Sequence, residues 1–313
     1  MKPIYVVGHK NPDNDSIMAA VVYAALKNLH DDKNEYQACT LGPLPKESKA
    51  VLERFGMPEP MFLEKIEPAQ EGEDPQRVIL VDHNERSQAV DGLEHAEIVE
   101  ILDHHRIADV QTAQPILFLN LPIGSTASIV TTRFEHYGQE ITPAFAGCLL
   151  AAIMTDTVLL KSPTATPIDG RLASMLADII GENYLDYGRW VFKSRGADEF
   201  GIDEIIGRDT KRFEFGGQAV YIGQFETVDC EPVLQDAPKL LEAMQAYIKE
   251  HDAATFVLLI TDILREGSQV FAAGSTEIVE KGLGIEVRDE GTWVDGLLSR
   301  KKQVAGPLIA QGF

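Results

Sequence analysis

Three short apolar, β-branched runs, IYVV at 4–7, VILV at 78–81 and IVEIL at 98–102, lead straight into side chains that ligate metals. Runs this short and this continuously apolar suit strands buried on both faces, the setting of a parallel sheet. His9, Asp13 and Asp15 follow the first run. Asp82, His83 and Asn84 follow the second, and Asp103, His104 and His105 the third. Ligands of open parallel sheets bind beyond the carboxyl ends of the strands. Three clusters far apart in sequence are therefore expected to meet at one edge of one sheet. A fourth candidate, Asp156, closes the apolar tract CLLAAIM at 148–154.

The rest of the first half supports that sheet. Further strands are expected at 35–41 and 116–119, and helical patterns fall at 16–29, 46–55, 125–137, 143–154 and 170–180. Strands alternating with helices predict an α/β domain with a mostly parallel sheet over residues 1–188. The stretch YGRWVFKSRGADEFG is polar and contains glycine, so a linker is expected at 189–197. Residues 198–313 then form a smaller mixed α/β domain, with strands at 219–226, 255–260 and 269–273 and a helix at 234–250. A chain of 313 residues suits two domains.

The chain carries 28 basic and 49 acidic residues, a net charge of −21. That balance opposes binding to nucleic acid or an anionic membrane and suits a protein that collects divalent cations. Cys39, Cys148 and Cys230 are odd in number, far apart and free of CxxC spacing, so neither a disulfide framework nor a zinc finger is expected. The N-terminal apolar run is too short for a signal-peptide core, and no apolar stretch reaches membrane length. A cytoplasmic protein is expected.

The ligand types constrain the metal. Imidazole and carboxylate without thiolate suit manganese, cobalt or iron better than structural zinc. Asp13, Asp15, Asp82 and Asp156 supply about four negative charges, which two divalent ions would nearly neutralise. Two metals roughly 3.5–4 Å apart serve phosphoryl hydrolysis, with a water between them acidified to hydroxide near neutral pH. Taken singly, an Asp-Asn-Asp loop is more often a turn or helix cap than a ligand set. Three such clusters after three apolar strands argue for the metal.

The second half offers a contrasting signal, SRKKQ at 299–303, with Arg300, Lys301 and Lys302 in a row. The bland reading is a solvated basic turn. The functional one is an anion clamp, Arg giving a forked donor to phosphate and Lys a compact charge. Lys211, beside Arg208 and Arg212, and Lys161, after Asp156, are further cationic candidates.

GHKNPDNDS at 8–16, VDHNE at 81–85, DHH at 103–105, MTDTVLLKSPT at 154–164 and SRKKQ at 299–303 together resemble the family II, manganese-dependent inorganic pyrophosphatases. These belong to the DHH phosphoesterase superfamily and join a DHH domain to a DHHA2 domain. The resemblance spans essentially the whole chain and leaves no room for a regulatory domain between Asp103 and Asp156. It implies an active site in the cleft between the two domains and hydrolysis of pyrophosphate to two phosphates. It implies two manganese or cobalt ions per subunit, one on His9, Asp13 and Asp82 and one on Asp15, Asp82, His104 and Asp156. Asp82 would bridge them. His105, Lys211, Arg300 and Lys301 would contact the substrate, which arrives with magnesium, and Asp103 would orient a ligand. A homodimer formed through the first domain is also implied. The nearest rival is an exopolyphosphatase or another DHH phosphoesterase. Exopolyphosphatase relatives tend to carry Asn at the position of His9, and nuclease relatives a Gly-rich motif in place of SRKKQ.

Overall fold

The computed structural model describes residues 2–195, 201–207, 209–215 and 217–310, leaving aside the side chains of residues 301, 302, 309 and 310. The chain divides into two compact units between residues 195 and 196. The first contains β1 (Ile4–Val7), α1 (Asn14–His30), β2 (Tyr36–Thr40), α2 (Lys46–Phe55), β3 (Met61–Phe62), β4 (Gln76–Val81), β5 (Ala96–Asp103), β6 (Leu117–Asn120), α3 (Thr126–Tyr137), α4 (Pro143–Asp156), α5 (Pro167–Ile180) and α6 (Tyr184–Lys193). Its six strands are all parallel, in the order β3-β2-β1-β4-β5-β6. The sheet grows outward from β1 through β2 and β3, then resumes on the other side of β1 with β4. That reversal leaves a crevice beyond the carboxyl ends of β1 and β4, where such sheets bind ligands.

The apolar runs are strands because they are covered on both faces. Val6, Val7 and Val78 through Val81 are all buried. Helix α1 is buried from Asn14 to Ala24 and packs on α3 and α4. Helix α4 touches α1, α2, α3, α5 and α6, and this central position explains the unbroken tract CLLAAIM.

The second unit contains α7 (Ile202–Gly207), β7 (Thr210–Phe215), β8 (Gln218–Thr227), α8 (Glu231–Leu234), α9 (Ala237–Glu250), β9 (Thr255–Asp262), β10 (Gly267–Gly274), α10 (Glu277–Leu283), β11 (Thr292–Asp295), a π-helical segment over Arg300–Ala305, and α11 (Gly306–Ala310). Its sheet runs β11-β10-β9-β8-β7 and is mixed: β8 and β9 are parallel and the other neighbours antiparallel. Strand β9 is buried throughout. Phe256, Leu258 and Ile260 face one core with α9, while Val257 and Leu259 face another with α10 and α11.

The structure departs from expectation in three places. Residues 189–193 of the expected linker belong to α6, residue 196 and those after it to 200 lie outside the described residues, and 194–195 form a turn. The helix expected at 234–250 is found as α9 but begins at Ala237, with Pro238 in its first turn, and the separate short helix α8 ends at Leu234 before it. Strands β3, β7 and β11 were not anticipated, because the first is two residues long and the others, TKRFEF and TWVD, carry charge and little continuous apolar character.

Gly188, just ahead of residues 189–193, shows how tightly α6 packs. It reads as a helix breaker, yet it sits within α6 where a Cβ would come within 2.3 Å of Leu159 Cδ2 and 3.1 Å of Met154 Cβ. The glycine is a close-packing residue. Gly188→Val is expected to lower unfolding free energy by about 1–3 kcal/mol through overpacking, read from urea denaturation, whereas a linker position would tolerate it.

Candidate metal centre

The first unit brings the sequence clusters together. Beyond β1, Asp13 caps α1, its Oδ1 accepting from Ser16 N at 2.9 Å. Asp13 is therefore a helix cap, and its other oxygen, Oδ2, stands 3.6 Å from His9 Nε2. Beyond β4, Asp82 is 2% exposed and adopts a left-handed backbone conformation, φ 64°, which Asp tolerates better than most residues. Its Oδ2 lies 3.4 Å from His9 Nε2 and its Oδ1 3.4 Å from His104 Nε2. One carboxylate therefore presents one oxygen to each side of the site.

His104 follows β5, and its Nε2 also lies 3.4 Å from Asp156 Oδ2 at the end of α4. In both histidines Nδ1 donates to a backbone carbonyl, Lys10 O at 2.7 Å for His9 and Ile123 O at 2.9 Å for His104. That leaves both Nε2 lone pairs for a cation. Three sets of donors result, each with ligand atoms within 4.8 Å of one another: His9, Asp13 and Asp82; Asp15, His104 and Asp156; and Asp82, His104 and His105.

The remaining candidates take supporting positions. Asp103 Oδ1 accepts from the backbone N of His105 at 3.1 Å and its Nδ1 at 3.0 Å, fixing a half-exposed imidazole. Asn84 donates to Asp103 and to Arg106 O, tying the ends of β4 and β5. His83 is buried, with Nδ1 on Val81 O at 2.9 Å, and it belongs to none of the three donor sets.

Electrostatics follow from crowding. Burial, then repulsion from Asp82 and Asp156, pushes Asp15 well above the carboxylate range. Burial and Asp82 likewise push Asp156 up to about 7. Burial pulls His9 and His104 down, but hydrogen bonds to Asp82 and the surrounding carboxylates outweigh it and raise them to about 11 and about 10. Asp82 goes the other way: burial opposes ionisation, and the two histidines hold it below its usual value. Burial drops His83 to about 4, so it is neutral. The hydrogen bond to Asp103 leads the causes that raise His105.

Sequence reasoning missed the residues that hold these ligands. Ser125 Oγ, Thr126 N and Ala127 N all donate to Asp15, and Thr126 Oγ1 donates to Asp82. The segment GSTAS is legible as a helix N-cap, but its partners are more than forty residues away, and no local signal names them.

In the second unit, Lys211 lies exposed on β7. Arg300 opens the π-helical segment. Its backbone N donates to Gln224 Oε1 at 3.1 Å, and its guanidinium bonds Asp209 O and pairs with Asp209 Oδ1 at 3.0 Å. Gln303 shapes the same loop, accepting from Leu298 N and Ser299 N and donating to Gly296 O. The side chain of Lys301 lies outside the described residues.

Residues 3–153 match the DHH family, N-terminal domain, and residues 193–311 match the DHHA2 domain. The manganese-dependent inorganic pyrophosphatase of Methanocaldococcus jannaschii is 38% identical over 97% of both chains, and that of Methanothrix thermoacetophila is 38% identical over 97% of both. This chain belongs to the manganese-dependent inorganic pyrophosphatase family. A crystal structure from Methanococcus jannaschii assigned to the family II inorganic pyrophosphatases matches 98% of this chain and 99% of that one, with 36% identity and a TM-score of 0.60. An exopolyphosphatase-related protein from Bacteroides fragilis shares the fold at 14% identity and a TM-score of 0.53.

The residues fit the metal in this family's name. The donors are all carboxylate oxygen and imidazole nitrogen, which manganese accepts. Asp156 Oδ2 is, among the described residues, one of three buried side-chain polar atoms without a hydrogen-bond partner, and such an atom is costly unless something binds it.

A pyrophosphatase centre of this kind must shed protons to take up a cation. With His9, His104 and Asp156 raised to about 11, 10 and 7, the metal-free site holds protons at neutral pH. Lowering pH favours the protonated form, so manganese affinity should rise with pH between about 6 and 8, with protons released on binding. Calorimetry in buffers of different ionisation enthalpy checks this, and binding without proton release would contradict it.

Proposed function

We propose that the chain hydrolyses inorganic pyrophosphate to two phosphates with two manganese ions, cobalt being the substitute. His9, Asp13 and Asp82 would hold one ion, and Asp15, Asp82, His104 and Asp156 the other. The observation that carries this reading is the position of Asp82, whose two oxygens face two separate imidazoles, His9 and His104, each at 3.4 Å. When bound, the cations supply an acidified water and neutralise phosphoryl charge.

The chain's own residues do the rest. One P–O bond of the anhydride breaks, and water supplies the oxygen and protons that make two phosphates. His105, held by Asp103, directs a donor at the substrate and bears positive charge when protonated. Lys211, Arg300 and Lys301 would neutralise the leaving phosphate from the second unit, together with magnesium carried by the substrate. Arg300 already rests against Asp209, a carboxylate that orients its guanidinium. The net charge of −21 favours a small metal-bound anion over nucleic acid. No helix among the described residues is long and apolar enough to cross a membrane, and a cytoplasmic setting fits three buried free cysteines.

A homodimer joined through the first unit completes the proposal. Strand β6 is an outer strand of its sheet, and Leu117, Phe118 and Leu121 there are exposed. Light scattering should return twice the mass of the 34.5 kDa chain.

The decisive experiment strips the protein of metal and measures phosphate release with manganese, cobalt, magnesium or zinc restored. Manganese and cobalt should restore turnover of pyrophosphate far above that of tripolyphosphate or dinucleotides, and a preference for tripolyphosphate would favour the exopolyphosphatase reading. His105→Ala should lower kcat by about 10²–10³-fold, the loss on removing one positioned donor, with manganese content unchanged.

A further inference from the structure

One turn, residues 123–127, touches three of the proposed ligands from outside the ligand set. Ile123 O accepts from His104 Nδ1 at 2.9 Å. Asp15 Oδ1 accepts from Ser125 Oγ at 2.7 Å and Ala127 N at 2.9 Å, and Asp15 Oδ2 accepts from Thr126 N at 2.7 Å. Thr126 Oγ1 donates to Asp82 Oδ1 at 2.8 Å. Ile123, Ser125, Thr126, Ala127, Asp15 and Asp82 are all buried. The first turn of α3 thus aims two backbone N–H groups and a hydroxyl at the Asp15 carboxylate and fixes its direction.

The turn is itself clamped. Asp169 is fully buried, and its Oδ2 accepts from Gly124 N at 2.9 Å and from Thr166 N and Oγ1 at 2.7 Å each. Its Oδ1 accepts from Ser128 Oγ at 2.6 Å. Gly124 is required for this approach, because a Cβ there would stand 2.8 Å from Asp169 Oδ2 and 2.6 Å from Thr157 Cγ2. Four donors hold Asp169 still, and it holds the turn.

We propose that the 123–127 turn, anchored by Asp169, is the positioning element of the metal centre, and that the Thr126 hydroxyl sets the orientation of the bridging carboxylate of Asp82. Thr126 is a positioning residue: its hydroxyl bonds the Asp82 oxygen that faces His104. That bond occupies one lone pair of Oδ1 and leaves the other on the side of His104, where a cation held by both residues would use it. Without it the Asp82 carboxylate is free to rotate about χ2, and both halves of the site lose a shared ligand together. The inference rests on the two-ion reading above.

Thr126→Val keeps the side-chain shape and removes the donor, and Thr126→Ser keeps the donor. Manganese affinity of the metal-free proteins is measured by calorimetry, and the coupling between two bound ions by electron paramagnetic resonance. Thr126→Val should weaken manganese binding by about 10–100-fold, the usual effect of losing an outer hydrogen bond to a ligand, and alter the coupled spectrum. Thr126→Ser should restore both. Equal affinity and spectrum in wild type and Thr126→Val would overturn the proposal, as would a Thr126→Ser variant no better than Thr126→Val. If Thr126→Val does not fold by circular dichroism, Thr126→Ala enters the same comparison. A wild-type protein that binds a single manganese ion would instead overturn the two-ion reading itself, which keeps the two failures distinct.

Discussion

The first unit is organised around a concentration of negative charge that water cannot screen. Asp15 and Asp82 are almost completely buried, Asp13 faces His9, and Asp156 faces His104. Buried like charges repel, and each also loses hydration. The fold answers with every local source of positive potential it has. The amino ends of α1 and α3 face the site, backbone N–H groups and hydroxyls bond Asp15, and His9 and His104 take up protons in the absence of a cation. A divalent cation in their place would satisfy the same need with more charge.

Topology makes that concentration attainable. Strands β1 and β4 are neighbours although more than seventy residues separate them, and the sheet reverses its direction of growth between them. Their carboxyl ends, with that of β5, release His9, Asp13, Asp82 and His104 into one crevice. Helix α4 runs through the middle of the helical layer and delivers Asp156 from a different direction. The chain after Asp156 continues through Val158, Leu159 and Leu160, all with positive φ, a run that non-glycine residues adopt only when their surroundings enforce it. Leu159 is buried against Gly188 of α6, so the packing that enforces it is identified.

The second unit has the opposite electrostatic character where it matters. In an acidic chain, the second unit carries Lys211 exposed on β7 and Arg300 at the start of the π-helical segment. The loop that carries Arg300 is held by two glutamine side chains, Gln224 and Gln303, and by Asp209. Neutral amides shape the loop without cancelling its charge, while Asp209 fixes the direction of a side chain that would otherwise spread over many rotamers.

Much of this was legible in the chain. Continuous apolar runs such as IYVV and VILV specify buried parallel strands, and the residues directly after them specify the chemistry of the edge, because a strand end fixes where its next side chains emerge. The close packing of Gly188 against Leu159 was not legible, since a glycine's contacts depend on which neighbour folding brings to it. The hydroxyls and amides of residues 124–128 and the carboxylate of Asp169 were silent as well, because a serine or threonine has no sequence mark for a partner brought close by folding. The sequence by itself determined which donors the site contains and on which element each one rides. Tertiary structure alone decided how they are aimed, because hydrogen bonds between residues 41 to 112 apart exist only after the sheet and helices have packed.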